Sequence, residues 1–165
     1  MTQSLLIINY ILIALSGFLL SAFFIHILKK LSLSYKALIS KGISHIGGLG
    51  LGLSFVIVAA AGLLLHQGLS KEILGIISSS IIMLVVGLID DWRELSIWAK
   101  LLVQISATSV LIFFGVRTQI IYIGLSLNII ITIIWVLAIT NAFNHLDIMD
   151  GLTAGSAIIV SLALF

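Results

Sequence analysis

A chain of 165 residues that is 61% hydrophobic and only 8% charged carries more apolar surface than a soluble domain of this size has interior to bury. Cysteine is absent, which excludes a disulfide framework and a thiolate metal centre. A net charge of +2 gives no basic footprint for nucleic acid, so no nucleic-acid partner is expected.

The apolar residues come in runs of roughly 17–25 separated by polar breaks, the pattern of transmembrane helices. In chain order the runs cover 5–28, 46–65, 73–89, 97–114 and 129–143, and a further run opens at 152 and is cut short at Phe165. The expected fold is therefore all-α: a polytopic transmembrane helical bundle of five full spans plus a truncated sixth, making one membrane domain over 1–165. The first run has no basic flank before it and is long enough to span, so it reads as a helix of the domain rather than a signal peptide. Glycines 47, 48, 50 and 52 lie inside the second run, where small residues let helix backbones approach closely. The stretch 117–127 is apolar but too short to span. Its Thr, Ile and Tyr content favours extended structure, and Gly124 stands where a turn would fall. A small β-hairpin at the periplasmic membrane surface is expected there.

Basic residues set the orientation. Lys29, Lys30, Lys36, Lys41, Arg93 and Lys100 follow or flank the exits of odd-numbered spans, whereas only Lys71 and Arg117 fall on the other side. The excess of positive charge places the first group in the cytoplasm. The loop 29–45 and the polar clusters after the third and fifth spans then all emerge on one cytoplasmic face, where they can build a common site.

Those clusters carry the chemistry. The first is Asp90-Asp91-Trp92-Arg93-Glu94. Adjacent carboxylates at a low-dielectric boundary repel, and a divalent cation or a paired base relieves the repulsion. Mg²⁺ takes carboxylate oxygens together with substrate phosphates, so such a pair suits phosphoryl chemistry. A solvated loop whose acids balance Arg93 is the plain alternative, of equal weight on physics alone. The second cluster is Asn141-Ala-Phe-Asn-His-Leu-Asp-Ile-Met-Asp-Gly151. Its Asn144, Asp147 and Asp150 recur every third residue, on one side of a helical turn or tight loop. Their oxygens suit Mg²⁺ or a nucleotide, and Gly151 lets the backbone turn. Helix capping by Asp150 and Asn144 is the plain alternative, and four polar side chains exceed what caps need. In the basic loop, Lys41 stands close to the glycine pair of the second span and is the candidate phosphate binder. Lys29 and Lys30 read as topology and lipid-headgroup residues.

Asp-Asp-x-x-Glu at 90–94 followed by Asn-Ala-Phe-Asn-x-x-Asp-x-x-Asp-Gly-Leu at 141–152 resembles the polyprenyl-phosphate N-acetylhexosamine-1-phosphate transferases, glycosyltransferase family 4 in the wider sense. Ser44-His45-Ile46-Gly47-Gly48-Leu49 and Gly115-Val116-Arg117 are similar to further family segments. The resemblance implies transfer of a UDP-N-acetylhexosamine's sugar 1-phosphate to undecaprenyl phosphate, with release of UMP, on the cytoplasmic face of a bacterial inner membrane. It implies Mg²⁺, with Mn²⁺ as a substitute, and Asp90 and Asp91 as the catalytic carboxylates. Asn144, Asp147 and Asp150 would bind nucleotide and help hold the metal, and Lys41 would bind substrate. Membrane lipids are implied partners, and a homodimer is an allowed state.

The chain departs from the pattern at Ile148, where the family usually has Gly, and at Ser44-His45, where it usually has Pro. The family's later acidic and histidine-rich loops have no counterpart before Phe165, so the chain reads as the N-terminal part of such an enzyme, inactive by itself. A transporter or channel fragment is the competing reading. It predicts acids near mid-span, lining a path.

Overall fold

The computed structural model describes residues 3–34, 39–40, 43–44, 46–65, 70–146 and 151–164. Six helices dominate: α1 (Gln3–Ser34), α2 (Ile46–Leu65), α3 (Lys71–Trp92), α4 (Ile97–Phe113), α5 (Gly124–Leu146) and α6 (Leu152–Leu164). Three apolar segments are long enough to cross a membrane: Ile7–Leu31, Lys71–Trp92 and Ile121–Leu146. The apolar stretches Gly47–Leu63, Ile97–Phe113 and Leu152–Ala163 are shorter. The described residues fall into two compact units, Met1–Val116 and Arg117–Phe165.

In the first unit α1 packs on α2, α2 on α3 and α3 on α4. Each pair runs antiparallel, as contacts near opposite ends show. Gly50, early in α2, lies against Ile25, late in α1, and Gly52 lies against Leu84, late in α3. Gly75, early in α3, lies against Phe114 at the end of α4. The glycines of α2 divide by role. A Cβ on Gly50 would stand 2.5 Å from Ile25 Cγ1 and 3.2 Å from its backbone nitrogen, so the close approach of α1 requires glycine there. Gly47 and Gly48 have open space where a Cβ would stand.

The inside of this unit is small and polar while the outside is large and apolar. Ser21, Ser54, Ser79, Ala107 and Thr108 are buried, and Phe18, Leu51, Ile81, Leu102 and Phe113 are exposed. Water would invert that arrangement; lipid permits it, because hydrocarbon solvates Leu and Phe as well as a core does. Three of these hydroxyls return to their own helices. Ser54 donates to the Leu51 carbonyl at 2.8 Å, Ser79 to that of Ile76 at 3.0 Å and Thr108 to that of Gln104 at 2.7 Å. Among the described residues no buried side-chain nitrogen or oxygen lacks a partner, as a low-dielectric interior demands.

The expected hairpin over 117–127 is not formed. Helix α4 stops in a Schellman turn: Val116 N–H donates to the Leu111 carbonyl at 2.9 Å, Gly115 N–H donates to that of Ile112 at 3.0 Å, and Gly115 has φ +94°. Residues 118–120 then run irregularly into a 3₁₀ turn at Ile121–Ile123, and α5 begins at Gly124. Asn128 explains the difference. Its Oδ1 accepts from Ile120 N–H at 2.9 Å, and its Nδ2 donates to the Ile120 carbonyl at 3.0 Å and the Gly124 carbonyl at 2.8 Å. One side-chain amide thus satisfies the backbone groups that a hairpin ladder would have used. Thr118 N–H donates to Thr132 Oγ1 at 2.9 Å, and Thr118 Oγ1 donates to the Asn128 carbonyl at 2.9 Å. Helix α5 consequently starts five residues before the expected 129 and spans 23 residues.

Strand pairing occurs elsewhere, within the basic loop. Ile39–Ser40 (β1) and Ile43–Ser44 (β2) form a two-residue antiparallel ladder, with Ile39 opposite Ser44 and Ser40 opposite Ile43. This is the small exception to the expected all-α fold.

Candidate functional site

The first acidic cluster begins inside the last turn of α3. Asp90 and Asp91 are its third- and second-last residues, and residues 93–96 then join α3 to α4. Both carboxylates are half-buried. Four connecting residues between two packed helices force a sharp reversal, and Asp90 organises it. Its Oδ1 accepts from Leu95 N–H at 2.8 Å, which ties the connection back to the helix end. Its Oδ2 lies 2.8 Å from Lys100 Nζ. Arg93 N–H closes the last turn of α3 on the Ile89 carbonyl at 2.8 Å. Ser96 caps α4, its Oγ accepting from Ala99 N–H at 3.3 Å.

Of the two devices that relieve adjacent carboxylates, a cation or a paired base, the base is visible here. Lys100 neutralises Asp90 directly. In the pair, 41% of the lysine side chain and 29% of the aspartate side chain remain exposed, so the pair opens to its surroundings instead of being sealed in the bundle. Lys100 was legible in the sequence only as one more basic residue of its side. The signal for its partnership is the spacing: a lysine in the first turn of a helix, ten residues after an aspartate that closes the preceding one, comes level with it when the connection is short.

The second cluster is divided. Asn144 sits in the last turn of α5 and is exposed beside the exposed His145. Asp147 and Asp150 lie outside the described residues, as does Lys41, which falls between β1 and β2. Gly151 has φ +80°, a conformation that favours glycine, and its carbonyl accepts from Gly155 N–H at 2.9 Å to open α6. That bond makes Gly151 the capping residue of α6, a position the capping alternative gives to Asp150.

Among the described residues no three His, Asp or Glu side chains gather as a metal-ligand cluster. The donor chemistry at Asp90 and Asp91 still suits Mg²⁺, which takes one or two carboxylates together with substrate phosphates and water. Asp90 already shares its oxygens with Leu95 N–H and Lys100. The described acids, Glu72, Asp90, Asp91 and Glu94, all lie at helix ends or in the α3–α4 connection. None sits at mid-span, where a permeation path would need it.

Residues 73–165 match the family model described as glycosyl transferase family 4. The chain is similar to a decaprenyl-phosphate N-acetylglucosaminephosphotransferase of Mycobacterium leprae, with 36% identity over 89 residues, 48% of this chain and 22% of the relative. The protein of the same name in Mycolicibacterium smegmatis is 34% identical over 93 residues, 50% of this chain and 23% of the relative. A Bacillus subtilis protein, named provisionally as an undecaprenyl-phosphate N-acetylglucosaminyl 1-phosphate transferase, is 29% identical over 118 residues, 66% of this chain and 33% of the relative. The chain thus spans between about a fifth and a third of the length of these relatives. No solved structure matches it.

Proposed function

Because the chain belongs to glycosyl transferase family 4, we propose that it supplies part of the site of a membrane phosphoglycosyltransferase. The reaction is transfer of N-acetylhexosamine 1-phosphate from a UDP-sugar to a polyprenyl phosphate such as undecaprenyl phosphate. An oxygen of the lipid phosphate attacks the β-phosphorus of the UDP-sugar. The bond from that phosphorus to the bridging oxygen breaks, UMP leaves with the electron pair, and a polyprenyl diphosphate sugar remains.

The observation that carries this reading is the Asp90–Lys100 pair beside Asp91 at a helix end. Both reactants are anionic, and two bare carboxylates would repel them. Lys100 offsets one of those charges and offers a point charge suited to phosphate. The Leu95 N–H and Lys100 hold the Asp90 carboxylate in one orientation, as positioning of an incoming phosphate requires. Asp91 stands next to it to support the diphosphate side. Asn144, Asp147 and Asp150 would bind nucleotide and, with their oxygens, Mg²⁺. When bound, Mg²⁺ supplies charge neutralisation to the phosphates. Lys41 is the remaining candidate for substrate phosphate. The basic-residue pattern supports a cytoplasmic site, with residues 30–44, 90–95 and 144–150 on that side.

The test is UMP release that depends on undecaprenyl phosphate, measured in the longest natural form of the chain. Asp90→Asn and Asp91→Asn keep size and polarity but remove the charge. Each is expected to lower the rate by about 10²–10⁴. Near-native rates in both would remove the pair from the mechanism. Labelling of a cysteine at position 93 by an impermeant reagent in intact cells would overturn the orientation.

A further inference from the structure

Large apolar side chains stand out around the same connection on its exposed side. The outward stripe of α3 runs Ile81, Val85, Ile89 and Trp92, all exposed, at helical spacings of four, four and three. It ends in an indole that is 69% exposed. Across the connection, α4 opens with Ile97 at 83% and Trp98 at 75% exposure. Because α3 and α4 are antiparallel, both indoles lie at the same end of the pair. The exposed, charged Arg93 and Glu94 stand between them in the chain. A helix of 22 residues, Lys71–Trp92, is about 33 Å long, close to the ~30 Å of a bilayer's hydrocarbon. Apolar stripe, indole, then charge is the order met on leaving a bilayer through its headgroup boundary, where tryptophan's apolar body and N–H donor are both satisfied.

We propose that Trp92, Ile97 and Trp98 form an interfacial anchor, seated in the headgroup–acyl boundary of the bilayer, that sets the depth of the Asp90–Lys100 pair. Asp90 precedes Trp92 by two residues and Lys100 follows Trp98 by two. Each backbone position therefore stands about 3 Å along the helix to the hydrocarbon side of its tryptophan, at the inner edge of the headgroup layer and just beneath the phosphates of surrounding lipids. The proposal requires only that the chain sits in a bilayer, so it stands or falls separately from the transferase reading.

Depth-dependent quenching tests it. The three tryptophans are Trp92, Trp98 and Trp135, and replacing two at a time by Phe leaves single-tryptophan chains for reconstitution in phosphatidylcholine–phosphatidylglycerol vesicles. Trp135, 63% exposed at the middle of α5, is the reference for the bilayer centre. Lipids brominated near the chain ends are expected to quench it most. Trp92 and Trp98 are expected to lose most emission to lipids brominated near the headgroup, and to emit at shorter wavelength than indole in water. Either indole as deep as Trp135, or quenched by aqueous acrylamide and not by lipid, overturns the anchor. Fluorotryptophan in the unsubstituted chain, read by ¹⁹F broadening from spin-labelled lipids, gives the same ordering without substitutions and guards against misfolded variants.

Discussion

The α3–α4 connection and the segment leading into α5 solve one problem in opposite ways. Each must hold a few irregular residues against a helix end in a chain with little polar material. The α3–α4 connection is held by charge: Asp90 takes Leu95 N–H on one oxygen and Lys100 on the other, with both side chains partly exposed. The segment before α5 is held by neutral groups: Asn128 and Thr132 are buried and meet Thr118 and Ile120. An amide is the cheaper group to bury, since it can be satisfied in full by backbone partners without desolvating an ion. Charge kept half-exposed at a helix end adds little to stability. Its presence in the connection fits the proposed chemistry, whereas the buried amide serves the architecture.

That contrast predicts a double dissociation. The largest effect is on activity: the Asp90→Asn and Asp91→Asn losses given above should come without a comparable loss of fold. Asn Oδ1 at position 90 can still accept from Leu95 N–H, so denaturation in detergent is expected to shift by no more than about 1 kcal/mol. A severe loss of stability would make Asp90 a structural residue like Asn128.

Next comes the reverse case. Asn128→Ala removes the buried amide that pairs the N–H and C=O of Ile120 and the C=O of Gly124, and a cost of about 1–3 kcal/mol is expected from these partly buried bonds. Thermal unfolding of the detergent-solubilised chain measures it, and an unchanged midpoint would show that the clamp is incidental. The smallest effect is that of Lys100→Met, expected to cost under about 1 kcal/mol because the pair is partly exposed and screened. The same variant should still impair UMP release by freeing Asp90, and Lys100→Arg should restore part of the rate. Equal activity in all three forms would leave Lys100 as a topology residue only.

Much of this was legible in the chain itself. Helix positions follow from apolar run length, because hydrocarbon leaves the backbone no partner but its own helix. The candidate carboxylates Asp90 and Asp91 stand out because charge at the edge of an apolar run is costly, and a backbone turn at Gly151 follows from its place between a polar cluster and an apolar run. Three features required the folded chain. The lysine that partners Asp90 depends on how α4 folds back over α3: the ten-residue spacing permits the pair, and only the short connection brings it together. The fate of 117–127 depended on Asn128, whose single amide outbid the β-propensity of the Ile and Thr residues before it. Which glycines matter was decided by helix contact: Gly50 is required by the approach of Ile25, whereas Gly47 and Gly48 face open space. In each case the deciding partner lies on another element or several turns away, and side-chain satisfaction in a low-dielectric interior, rather than propensity, made the choice.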